Sequence, residues 1–148
     1  MKKILLSLIF LISALSAAEL HVANSFKDSV AKAENSEKPI LFIVSRHTCR
    51  YCVILEKNTL SNAQVIDRLN KDFITYIAYT DDGDMFPDEY WRPGTPAIWF
   101  LDDQGRAISE PLMGAIDAAN LLKVLDIVDQ RFKKQKKMDK YNYTRSKL

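Results

Sequence analysis

Cysteine and histidine are scarce in this chain of 148 residues: Cys49, Cys52, His21 and His47 are all there is of either. A zinc site takes four ligands, usually with a second Cys or His pair, and the two histidines lie far apart in sequence. Haem attachment requires a histidine directly after the second cysteine, where Val53 stands. Met85, Met113 and Met138 form no cluster that would suit copper. No metal and no other bound cofactor is therefore expected. Glycine numbers only four, and the chain lacks internal repeats, Gly/Ser linkers and low-complexity runs, which leaves room for one domain.

The first residues are a separate unit. Lys2 and Lys3 precede an apolar run, Ile4 to Leu15, and Ser16 and Ala18 are small residues ahead of Glu19. This is the pattern of a cleaved secretory signal peptide over residues 1–18, and the apolar run is short for a membrane span. An exported, periplasmic location is the expectation. The remaining 130 or so residues, about one domain's worth, are enough to build a core without a disulfide. Exported domains that use disulfides as staples are rich in cysteine. A loop closed over two intervening residues also removes little unfolded-state entropy. A structural staple is thus a poor reading of Cys49 and Cys52, and a redox pair is the better one.

Charge is unevenly spread. Residues 131–148 carry eight basic residues and one acid, whereas residues 19–130 carry eleven basic and eighteen acidic. The body, residues 19–132, is acidic and the tail, residues 133–148, basic. The tail suits a solvated helix end, or a weak contact with an anionic membrane surface or acidic partner. No nucleic acid is expected as a partner.

Apolar periodicity gives the elements. Asn24 to Asn35 reads as a helix, with Phe26, Val30 and Ala33 on one face. Pro39 to Ser45 is a continuous β-branched and aromatic run, the mark of a central strand buried on both faces. Residues 53–57 are helical in character, Asn58 and Thr59 interrupt them, and Ser61 with Gln64 fits a capping box for the next helix. Phe73 to Tyr79 is a strand, and residues 80–95 are an acidic, aromatic connection. Residues 96–113 read as an antiparallel hairpin around a tight turn at Asp103 to Gly105. Asp117 caps a last helix whose buried stripe is Ala118, Leu121, Leu122, Leu125, Val128 and Phe132. Leu20 to Ala23 is a candidate first strand. The result is an α/β fold with a mixed sheet and helices on both faces.

Cys49 falls where the central strand gives way to a helix. The unpaired N–H groups and positive dipole end of that helix favour a thiolate there. Arg50 adds a cation beside it, and His47 adds another when protonated. Cys52 lies one turn further in. Cys49 is then the attacking nucleophile and Cys52 the resolving thiol.

The chain resembles the thioredoxin superfamily over nearly all of residues 20–132. The likeness rests on the Cys-Arg-Tyr-Cys segment after an apolar strand, on Gly94-Thr95-Pro96, and on the hairpin and amphipathic helix that follow. It implies a thioredoxin fold and a cis-proline at Pro96 beside the cysteines, with Thr95 and Pro96 offering a backbone edge to an extended substrate. More narrowly, residues 49–73 are similar to the C-terminal thioredoxin-like domain of DsbD and related exported thioredoxins. That likeness places Glu56 where an acid is kept near the cysteines, able to relay a proton to or from Cys52. Thr95 before Pro96, and Tyr51, are also similar to periplasmic disulfide isomerases. Two positions depart: Thr48 replaces the tryptophan usual before the first cysteine, and Ile43 replaces a buried acid. Phe86, Tyr90 and Trp91 are candidates for an apolar substrate rim, Trp91 above all.

The expected activity is thiol–disulfide exchange on protein disulfide substrates, in the reducing direction, with a membrane protein supplying electrons. An oxidase or isomerase recharged by an oxidant protein, and a non-catalytic thioredoxin-like binding module, are the alternatives.

Overall fold

The apolar run Ile40–Ser45 forms β1, with all six residues buried. The structure, a computed structural model, describes residues 19–147; the expected leader, residues 1–18, lies outside them. Four described strands make one sheet in the order β2-β1-β3-β4. β2, Ile74–Tyr79, runs parallel to β1, and β3, Ala97–Leu101, runs antiparallel to it. β4 is Leu112–Met113, antiparallel to β3.

Because successive strand side chains point to opposite faces, β1 feeds two cores. Leu41 and Ile43 join Ile98 and Phe100 in an aliphatic core completed by the C-terminal helices. Ile40, Phe42 and Val44 join Tyr76, Tyr90 and Trp99 on the other face. That second core is aromatic: Phe42 stacks on Tyr76 at 5.5 Å and meets Phe26, Phe86 and Tyr90 edge-on. Trp99 and Phe100 are both buried, on opposite faces, because helices cover the sheet on both sides.

α1, Phe26–Ser36, covers the aromatic face and starts at Ser25, whose hydroxyl accepts from the Asp28 N–H at 3.0 Å. Leu20 to Ala23 makes a single parallel bridge, Val22 to Thr75, rather than a strand. The chain turns off at once, with the His21 N–H taken by the Asn70 side chain at 2.9 Å.

After Cys49 the chain forms α2, Arg50–Ile54, and continues without a break into a π-helical segment, Leu55–Leu60. The expected interruption at Asn58 and Thr59 is absorbed by this wider winding. In an α-helix, residues five apart diverge by about 140°. In a π winding they return to nearly one face, so Leu55 and Leu60 are both buried. Thr59 is buried too and donates to the Ile116 carbonyl at 2.5 Å.

α3, Ala63–Asp72, is capped by Asn62, whose side-chain oxygen accepts from the N–H groups of Gln64 and Val65. Ser61, the expected cap, instead donates back to the Lys57 carbonyl and closes the preceding winding. The hairpin is also less regular than expected. Asp102 closes its turn by accepting from the N–H groups of Gln104 and Arg106, both at 2.9 Å. The return strand pairs at Ala107 and again at Leu112–Met113, and leaves the ladder between, where Pro111 has no N–H to donate.

α4, Ala118–Arg145, starts at the expected Asp117, which accepts from the Asn120 N–H at 2.9 Å. It buries Leu121, Leu125, Val128 and Phe132. Arg68 of α3 binds Asp126 and Asp129 of α4 at 3.1 and 3.5 Å. The helix continues through the basic segment as far as Arg145, held to the body by Lys136, which contacts Asp103 at 2.7 Å and Glu37 at 3.6 Å.

Candidate active site

The sheet and helix order bring together one end of β1, the first turn of α2 and the loop before β3. Cys49 is the N-cap of α2: its extended backbone lets the sulfur accept from the Cys52 N–H at 3.3 Å. Its thiol also reaches the Thr95 carbonyl at 3.3 Å, across 46 residues of sequence. The Thr95–Pro96 peptide is cis. Pro96 is buried and Thr95 half-buried. The sequence-predicted Cys49, Cys52, Thr95 and Pro96 thus share one locus.

Both cysteines are free thiols, in unlike surroundings. Cys49 is partly exposed, and partial burial pushes its pKa up. Hydrogen bonds from the Cys52 thiol, the Thr95 side chain and the N–H groups of Cys52 and Tyr51 outweigh that effect, so the thiol lies below its ordinary value. Cys52 is fully buried, and burial holds its thiol above the ordinary value. Its place as donor to Cys49 adds to the shift; Thr95, Ser45 and the backbone at Arg46 oppose it. The pair is arranged as an accessible thiol of lowered pKa backed by a buried thiol of raised pKa.

Glu56 stands one turn beyond Cys52, on the π-helical segment, half-buried. It accepts from the Ser45 hydroxyl at 3.1 Å. Tyr79, at the end of β2, lies near the same carboxyl; burial, then the Glu56 charge, pushes its pKa up to about 12, so the hydroxyl stays protonated. Ser45 and Tyr79 were not legible as site residues. The available signal was position: each is the last residue of its strand, at the end near the cysteines, and Ser45 is the polar residue of an otherwise apolar run.

The cations are arranged differently from the expectation. His47 stacks on the Tyr79 ring at 4.0 Å, and its Nε2 contacts Asp82 at 2.9 Å. The Asp82 partner raises the His47 pKa, so the charge it gains is shared with a carboxylate. Its N–H donates to Asp81 at 2.9 Å. His47, Asp81 and Asp82 gather metal-capable donors within 4.8 Å, all exposed and already engaged with one another. Arg50 is exposed on the first turn of α2, and the hydrogen bonds that favour the Cys49 thiolate come from Cys52, Thr95 and Tyr51 instead.

Of the three candidate rim aromatics, Tyr90 is buried and donates to the Gly105 carbonyl, and Phe86 packs on Phe42. Trp91 alone remains outside, 59% exposed. Tyr51 and Met113 are exposed as well, and the Met113 side chain lies beside Gly94.

This geometry agrees with what known proteins show. No curated protein matches the chain. A solved thioredoxin from Thermus thermophilus superposes with a TM-score of 0.65 at 22% identity, over 77% of this chain and 90% of that one. The oxidoreductase DsbH superposes with a TM-score of 0.57 at 17% identity, over 81% and 89%. The C-terminal domain of DsbD from Neisseria meningitidis, in its oxidised form, gives 0.51 at 19% identity, over 75% and 99%. These likenesses establish the fold. The model of the thioredoxin-like domain matches residues 26–129, most of the described chain, and the protein therefore belongs to the thioredoxin-like family.

Proposed function

We propose that this chain is an exported, periplasmic thiol–disulfide oxidoreductase that reduces disulfides in exported proteins. The observation that carries the reading is the inequality of the two free thiols: Cys49 is reachable and its pKa lowered, Cys52 is buried and its pKa raised, and the Cys52 backbone N–H donates to the Cys49 sulfur at 3.3 Å. In the reaction the Cys49 thiolate attacks one sulfur of a substrate disulfide, and the other sulfur leaves as a thiolate. Cys52 then loses its proton and attacks the Cys49 sulfur. That step forms the Cys49–Cys52 disulfide and releases the second substrate thiolate. Two electrons have passed to the substrate, whose thiolates take up protons. Glu56 is the group we assign to take the Cys52 proton, in place of the acid absent at Ile43.

Thr95 and Pro96 would meet an extended substrate backbone, and exposed Trp91 would add apolar contact at the rim. Without membrane helices among the described residues, the oxidised protein would be recharged by a membrane electron donor. The basic end of α4 would add at most a weak contact with an anionic membrane surface. The dithiol is the whole redox centre, so no cofactor is invoked.

The lowered Cys49 thiol favours the opposite direction, because stabilising the thiolate stabilises the reduced form and makes the pair more oxidising. An oxidase or isomerase is therefore the second reading. Equilibrating the protein with glutathione separates them. A potential near −270 mV, roughly that of thioredoxin, supports the reductase; one near −180 mV or above, roughly that of the isomerases and oxidases, overturns the direction. A pair inert to mild reductant would instead make the domain a binding module.

A further inference from the structure

α4 outruns the body it packs on. Leu121, Leu125, Val128 and Phe132 bury its inner side, and every described residue from Lys137 onward is exposed. The outer side carries Ile127, Arg131, Lys134, Met138, Tyr141 and Arg145, all exposed. At about 100° per residue these fall within roughly 40° of one line, which runs about 27 Å along the helix. The stripe mixes bases with apolar side chains, and Ile127, Met138 and Tyr141 are 51%, 55% and 64% exposed. Among the described residues none of its bases is in an ion pair, whereas Lys133 and Lys136, off the stripe, are bound to Asp129 and Asp103. The acids of α4 lie off it too: Asp126 and Asp129 bind Arg68, and Asp139 lines a cavity with Arg106.

We propose that this stripe is a docking surface for an anionic phospholipid bilayer, on which α4 lies lengthwise. Charge selects the side that approaches. Residues 19–130 carry eleven basic and eighteen acidic residues, so anionic lipid repels the rest of the body and attracts the stripe. Shape selects the kind of partner. A straight, convex line of side chains one turn apart meets a plane along its whole length, whereas a folded protein would need a matching groove. Arg131, Lys134 and Arg145 reach lipid phosphates, and Met138 and Tyr141 enter the headgroup layer. The contact is reversible and salt-sensitive, because so few side chains hold far less firmly than an inserted helix. Orientation follows from the fold. Gly114, just before α4, bonds the Pro96 carbonyl at the cysteine end of the sheet, and Lys136 bonds Asp103 and Glu37 where β1 begins. α4 therefore runs the length of the domain. The dithiol comes to the edge of the contact, open to exported substrates and to a donor in the same membrane. The proposal rests on the exported reading above for where the protein meets such a surface, and it gives that weak membrane contact a face.

The test is co-sedimentation of the chain freed of the expected leader, residues 19–148, which contains both cores. The vesicles are phosphatidylglycerol mixed with phosphatidylcholine, against phosphatidylcholine alone. Wild type should bind the anionic vesicles at low salt, leave them as salt rises, and ignore the neutral ones. Arg131→Gln/Lys134→Gln should weaken binding roughly thirtyfold. Met138→Ser/Tyr141→Ser should weaken it several-fold. Lys133→Gln/Lys140→Gln removes the same charge from another side of the helix and should weaken binding by less than about threefold. Each variant replaces exposed side chains and should keep the wild-type melting temperature. Equal losses in the two charge variants, equal binding to neutral vesicles, or no binding at low salt overturns the proposal. So does a concentration-dependent dimer abolished by Arg131→Gln/Lys134→Gln, which would assign the stripe to the acidic body of a second copy. Binding to soluble polyglutamate as tight as to the vesicles would assign it to an acidic protein instead, and overturns it as well. Failure of the redox reading looks different: Cys49→Ser should bind vesicles as wild type does, and thiol exchange reports on the cysteines alone.

Discussion

The two sulfurs sit one helical turn apart and face opposite worlds. Cys49 faces the loop before β3 and the solvent, and hydrogen bonds from the Cys52 thiol, the Thr95 side chain and backbone N–H groups lower its pKa. Cys52 faces inward, where burial raises its pKa, and Glu56, one turn further on, accepts from the buried Ser45 hydroxyl at 3.1 Å. The difference teaches that one cysteine motif yields two chemical roles only when the fold treats its ends differently. A pair with equal surroundings would compete for the substrate and for the proton.

Removing the front sulfur has the largest expected effect. Cys49→Ser should lower reduction of a protein disulfide by on the order of a thousandfold or more, because no other described nucleophile is both accessible and activated. Normal turnover in that variant would end the assignment. Removing the rear sulfur should separate the steps. Cys52→Ser should still attack, then accumulate as a mixed disulfide visible by mass spectrometry, with turnover reduced roughly a hundredfold. Failure to trap any substrate would mean that Cys52 is not the resolver.

A subtler change blurs the front without deleting it. Thr95→Val keeps the shape and loses the hydroxyl that both sulfurs use. The wild-type rate of Cys49 alkylation should reach half its maximum below the ordinary thiol pKa of about 8.5. In Thr95→Val that midpoint should rise. A midpoint that stays put would shift the credit to the N–H groups of Tyr51 and Cys52.

The smallest effect belongs to His47. Its pKa is raised in the folded state by Asp82, so the ion pair contributes stability below the unfolded histidine value. That contribution fades as pH rises through the folded one. The melting-temperature gap between wild type and His47→Ala should therefore be wider at pH 5 than at pH 8. The Cys49 alkylation midpoint should move less than in Thr95→Val, since the charge of His47 is engaged with Asp82. A larger shift would restore His47 as a tuning cation.

Much of the frame was legible from residues. Six consecutive buried residues in β1 match the unbroken apolar run, and Asp117 caps α4 as its spacing predicts. Local competitions were harder to foresee. Ser61 and Asn62 are both good caps, and Asn62 prevailed because the Ser61 hydroxyl was already drawn back to Lys57. The π winding at Leu55–Leu60 follows from burying two leucines five residues apart, a demand set by the neighbouring core.

The sequence by itself determined the reactive unit: two cysteines at helix-turn spacing after a buried strand, with an acid one turn further on. Those features are local, and local geometry is written in a few adjacent residues. Only the tertiary structure decided the electrostatics. Thr95 comes to Cys49 from 46 residues away, and Tyr79 comes to Glu56 from the neighbouring strand. His47 meets Asp82, 35 residues further on. Which hydrogen bonds each sulfur feels depends on strand register and loop closure, and no spacing along the chain encodes those distances.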